Sequence, residues 1–143
     1  MTRSLFYGVT LDWQYDKGEV KCSMPRYIPK LLKKLNHVTP SIPQFSPNPA
    51  LHITYGTKVQ LAKGEDTSPP LDSKGIKLIQ SIVGATLYIA RIRDMTLLVT
   101  CNDIGIQQTK STMNTLNLIS WLLDYMATYP NPSITYKASD MVL

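Results

Sequence analysis

Cysteine is scarce. Cys22 and Cys101 are the only two in 143 residues, too few and too far apart for a disulfide framework or a zinc site, and they suit a reducing compartment. The opening MTRSLFYG has no apolar leader core, and the most apolar stretch, Ile76 to Asp94, is broken by Lys77, Gln80, Arg91 and Arg93, so neither a signal peptide nor a membrane span is expected. An intracellular protein, in cytoplasm or nucleus, follows from those absences. There is no P-loop, no dinucleotide fingerprint and no serine or cysteine with an activating neighbour. His37 and His52 have no second ligand at metal-binding spacing and read as surface residues. Phosphoryl transfer through two magnesium ions needs convergent carboxylates, yet the chain has no adjacent aspartate pair, and Glu65-Asp66 reads as a solvated surface pair. Catalysis by this polypeptide alone is not expected.

What is present is basic charge in one place. The formal net charge is +5 and the pI about 9.2, which permits a polyanionic partner. Arg26, Lys30, Lys33 and Lys34 fall between Arg26 and His37 with no acidic residue among them. In PRYIPKLLKKLNH, Tyr27, Ile28, Leu31, Leu32 and Leu35 form an apolar helical face, with the lysines facing away and Pro29 confined to the first turn. Before this helix, Phe6 to Trp13 and Glu19 to Ser23 alternate as strands around the turn Asp16-Lys17-Gly18, which predicts a hairpin.

Ile76, Ile79, Val83, Leu87 and Ala90 recur at spacings of three and four and predict a core helix capped by Asp72 or Ser73. Gly84 in its middle implies another backbone packed close by. Met95, Leu98, Val99 and Ile104 predict a further helix stopped by Gly105. Thr109 to Thr128 predicts another, with Met113, Leu116, Ser120, Leu123 and Ala127 as its stripe, Ile119, Leu122 and Met126 as a shoulder, and Trp121 and Tyr125 on the far side. Ser133 to Lys137 reads as a short strand, and Asp140 to Leu143 as the start of another. Prolines concentrate in 38–73, where Tyr55 to Leu61 is the one short strand expected and Lys63 to Asp66 a surface turn. The class is α+β, an N-terminal hairpin and a mainly helical bundle with a short C-terminal strand, divided into 1–37, a proline-rich linker 38–73, and 74–143.

Two groups of these residues resemble one family. Phe6, Gly8 and Leu11, followed by a hairpin and by Tyr27, Leu31, Leu32 and Leu35, look like the strand, primer-grip hairpin and first thumb helix of reverse transcriptases. The string from Ile82 to Asp94, through Gly84, Leu87, Tyr88, Arg91, Arg93 and Asp94, resembles a block beyond the polymerase core in copia-type LTR-retrotransposon Pol polyproteins. Thr100-Cys101-Asn102-Asp103 departs from the string common at that point. The resemblance implies a primer-grip, thumb and connection segment preceding ribonuclease H, which would help hold an RNA/DNA hybrid or tRNA-primed template within the full Pol. It also implies that the catalytic aspartates and their magnesium belong to the palm outside this chain, leaving it no cofactor of its own. Arg26, Lys30, Lys33 and Lys34 would meet phosphates; Arg91, Arg93 and Asp94 would form a structural ion pair at a helix end. The competing expectation is a host co-opted or decayed element, a non-enzymatic interaction module or a chain without function.

Overall fold

The computed structural model describes residues 2–49, 56 and 66–139. The expected strand at Tyr55 to Leu61 apart from Gly56, the expected strand at Asp140 to Leu143, the expected turn at Lys63 to Asp66 apart from Asp66, and His52 lie outside them. The elements run β1 (Thr2–Phe6), β2 (Val9–Gln14), β3 (Glu19–Ser23), α1 (Tyr27–Lys34), α2 (Ser73–Ile92), α3 (Thr96–Gln107), α4 (Met113–Thr128) and β4 (Ser133–Lys137), an α+β arrangement.

The strands form one antiparallel sheet in the order β1-β2-β3-β4. The hairpin around Asp16-Lys17-Gly18 is present: residues 15–17 make one short 3-10 turn and Gly18 takes φ +60, a conformation that glycine adopts without strain. The strand expected from Phe6 to Trp13, however, is broken. Tyr7 (φ 47) and Gly8 (φ 82) form a two-residue loop, and Phe6 pairs with Val9 across it. Positive φ at both central positions is what such a loop requires to match strand twist. Phe6, Gly8 and Leu11 therefore fall on β1, the loop and β2 in turn. Pairing of β4 with β3, Val20 opposite Tyr136 and Cys22 opposite Ile134, joins the two ends of the described chain.

The core is helical. Ile28 and Leu32 of α1, Ile79, Ile82, Val83, Ile89 and Ala90 of α2, Leu97, Cys101 and Ile104 of α3, and Ile119, Leu122, Leu123, Tyr125 and Met126 of α4 form one buried cluster. Asp72 caps α2 by accepting the Gly75 N–H at 2.8 Å, and Pro29 lies in the first turn of α1, as expected. Two faces differ from expectation. In α3 the buried stripe is Leu97, Thr100, Cys101 and Ile104, while Met95 and Val99 are each 66% exposed; Gly105 does not stop the helix, because it stays out of the positive-φ region that terminates one. In α4 the inward face is rotated by about one position: Thr115, Ile119, Leu122 and Met126 face the core, Tyr125 is buried rather than distal, and Met113 and Ser120 are exposed. The helix starts at Met113, not Thr109, because Thr112 takes an extended conformation and its side chain accepts the Thr115 N–H.

Two described stretches between α1 and α2, around Gln44 to Ser46 and at Pro70, lie against α4 and its cap. The Gln44 N–H donates to Thr128 Oγ1 at 3.0 Å, and Trp121 Nε1 donates to the Ser46 carbonyl at 2.9 Å. Pro70 bridges Thr112 in an antiparallel pair.

Candidate nucleic-acid interface

The site begins with α1, a helix whose two faces differ in kind. Ile28 (1% exposed) and Leu32 (9%) anchor it to the core, with Tyr27, Leu31 and Leu35 packed beside them. Arg26, Lys30, Lys33 and Lys34 are all exposed. Lys30 lies four residues from both Arg26 and Lys34 and three from Lys33, which groups the four on one side of the helix. Among the described residues no ion pair engages any of them, so their charge is directed to solvent. Lys33 and Lys34 also occupy the last turn, where cations complement the helix dipole. Arg26 sits at the N-cap at φ 73 with no side-chain cap bond, a left-handed geometry costing roughly 1–2 kcal/mol for a residue with a Cβ.

The two sequence blocks that carried the resemblance meet in space. The Tyr27 hydroxyl donates to the Ala85 carbonyl of α2 at 3.1 Å, and its ring lies 5.7 Å from that of Tyr88. Burial and the neighbouring Tyr88 push the Tyr27 hydroxyl pKa upward, so it stays a donor. Tyr88 in turn donates to the Tyr7 carbonyl in the β1–β2 loop at 2.9 Å, which ties α2 to the turn that holds Gly8. Leu11 is half-buried in β2, opposite Cys22, and Phe6 is 63% exposed. At the far end of α1, His37 Nε2 lies 2.7 Å from Asp124 Oδ1 of α4. His37 is thus a half-buried link between helices, not the surface residue expected.

The block from Gly84 to Asp94 differs more. A Cβ on Gly84 would meet nothing within 4 Å; no backbone packs there, and the residue lines an open groove of about 510 Å³ between α2 and α3. Leu87 is half-buried on the same groove. Arg91 is exposed, and no ion pair joins Arg91, Arg93 and Asp94 among the described residues. Asp94 instead caps the entry to α3, its Oδ1 accepting the Thr96 N–H at 3.2 Å and the Thr96 hydroxyl; that hydroxyl also meets Tyr125 Oη at 3.0 Å. Arg93 is 3% exposed, and neither its Nε nor its Nη1 has a partner. Burial lowers its pKa, against the opposing influence of Cys22 and Asp94. Cys101 lies within the core, and burial with Asp94 nearby raises its thiol to about 11, which makes it a poor nucleophile.

Asp66, expected as a solvated surface carboxylate, receives the Ser68 N–H and hydroxyl and, through Oδ2, the Thr112 hydroxyl at 2.6 Å. These bonds hold it at about 2. It is a bracket at the start of α4, exposed yet fully engaged. Among the described residues no three His, Cys, Asp or Glu side chains gather as metal ligands would. Trp13 and Trp121 are half-buried, with Nε1 donating to Ser4 Oγ and to the Ser46 carbonyl, respectively. No protein-family model, no curated protein and no solved structure matches this chain.

Proposed function

We propose that this chain is a thumb and connection segment of a copia-type reverse transcriptase, and that α1 grips the phosphate backbone of an RNA/DNA hybrid while the catalytic aspartates lie elsewhere in the polyprotein. The observation that carries the reading is the two-faced α1: Arg26, Lys30, Lys33 and Lys34 exposed and without ion-pair partners, on a helix whose other face is fixed in the core by Ile28 and Leu32. A rigid stripe of cations presents charge at helical spacing without a large ordering cost on binding. Lysine acts there as a point charge on phosphate and carries no sequence information. The role is therefore positioning, with affinity set by counterion release.

The test is binding of a short RNA/DNA hybrid by fluorescence anisotropy across a salt series. Changing Lys30, Lys33 and Lys34 together to glutamine should weaken binding at every salt concentration and reduce the slope of log K against log salt by about 3. Unchanged affinity and slope in that variant would remove α1 as the gripping element. The pairing of β4 with β3 supports the second reading, a co-opted module that folds and binds a partner by itself; tight salt-dependent binding to hybrid argues for the first, and its absence in a cooperatively folded chain argues for the second.

A further inference from the structure

Arg93 has no place in the grip. It is 3% exposed, with Nε and Nη1 unpartnered, and buried N–H groups of a guanidinium left without acceptors are unfavourable. Among the described residues Asp94 makes no ion pair with it, its Oδ1 accepting the backbone N–H and hydroxyl of Thr96, and offsets the guanidinium charge only through space. Arg93 forms part of the wall of a cleft of about 460 Å³ between the end of α2 and the α4–β4 connection, whose lining includes Asp94, Thr128, Tyr129, Pro130, Asn131 and Pro132. Tyr129 is 42% exposed and its ring packs 5.1 Å from Tyr125, so the cleft offers an aromatic and proline surface beside a guanidinium that has unpartnered N–H groups and no ion pair among the described residues.

We propose that this cleft binds a small aromatic monocarboxylate, with the Arg93 guanidinium as counter-charge and Tyr129, Pro130 and Pro132 covering the ring. Arginine matches a planar carboxylate in shape and donor direction. Rotation about the last side-chain bonds of Arg93 turns an unpaired N–H toward the bound oxygen. Asp94 lines the same cleft, and its charge opposes any anion there, so the ligand is held by direct contact of its carboxylate with the guanidinium and by burial of its ring. The Tyr129 ring and the two prolines on one side of the cleft suit an organic body better than a free inorganic ion.

The experiment is a two-dimensional amide NMR titration of the full chain with benzoate, alongside benzamide and inorganic phosphate. Benzoate should shift the Tyr129, Asn131 and Ser133 amides saturably; benzamide should leave them unmoved, and phosphate should bind at least about tenfold more weakly. Arg93→Met should abolish the benzoate response. Asp94→Asn, which keeps an oxygen to accept from Thr96, should tighten benzoate binding severalfold. No saturable shift, an equal response to benzamide, tighter phosphate binding, or benzoate binding retained in Arg93→Met would each overturn the site. Should Arg93→Met not fold, Asp94→Asn decides: tighter binding supports the counter-charge role, and unchanged or weaker binding refutes it.

Discussion

Gly84 sits in the middle of α2 with open space where its Cβ would be. A mid-helix glycine costs about 1 kcal/mol relative to alanine through backbone entropy, and here no close neighbour gives anything back. Gly84→Ala is expected to stabilise the protein by roughly 0.5–1 kcal/mol in urea unfolding, with an unchanged m-value. Destabilisation would mean that the α2–α3 groove closes on the glycine in solution. Sequence alone suggested the opposite environment, since a glycine in an apolar helix ordinarily marks a close approach. The cost is visible in sequence, but its cause is a property of the neighbouring helix. Arg93 teaches the same at the other end of α2. Its spacing beside Asp94 reads as an ion pair, yet the carboxylate finds the Thr96 N–H two residues on, a local bond needing no long side chain to be ordered.

At the scale of the element, α4 shows how a helix start is built from distant chain. Thr112 caps it, Asp66 receives the Thr112 hydroxyl, and the Ser68 hydroxyl receives the Asn114 N–H at 3.2 Å. Because Asp66 is held at about 2 against an ordinary 3.8, its folded pKa lies below its unfolded one. Its contribution to stability is present above pH 4 or so and is lost as pH falls toward 2. Thermal unfolding followed from about pH 5 down to pH 2 should show a fall in melting temperature that is smaller in Asp66→Asn; equal falls in both proteins would leave the bracket without energetic weight. None of this was legible, since Asp66 and Thr112 lie far apart in sequence. Legible were the elements with strong local patterns: the β2–β3 hairpin through Gly18, α1 through its leucines and Pro29, and α2 through its apolar stripe and Asp72. The β1–β2 loop was missed because Tyr7-Gly8 lacks the Asn or Asp that usually marks such a turn. The inward faces of α3 and α4 were misjudged because buried Thr100 and Thr115 (1% and 0% exposed) look polar, while exposed Met95 and Met113 look apolar.

The whole molecule has two unequal parts. Residues exposed by 4% or less fill the helical core, from Ile79 and Ile89 of α2 to Leu97, Ile104, Ile119 and Met126, whereas Thr10 is the one buried residue in the four strands. Among the described residues one hydrogen bond ties the sheet region to α2, from the Tyr88 hydroxyl to the Tyr7 carbonyl, and Tyr27 at the start of α1 adds another to Ala85. Local stability follows buried contact density, so the sheet should open at lower free energy than the helices. Native-state hydrogen exchange is expected to show the β2 and β3 amides exchanging through a partial opening while the α2 and α4 amides exchange only with global unfolding. Tyr88→Phe, which removes the hydroxyl bond to the Tyr7 carbonyl, should lower sheet protection by about 1 kcal/mol and leave α2 protection nearly unchanged. Equal protection throughout would mean that the sheet and the helices fold as one unit. The distinction bears on function, because α1 follows β3 directly but packs on the helices. If the sheet opens alone, α1 keeps its lysine stripe fixed on the core, and the hybrid binding we propose for α1 should survive Tyr88→Phe. If sheet and helices open together, the same substitution should weaken the grip along with the fold.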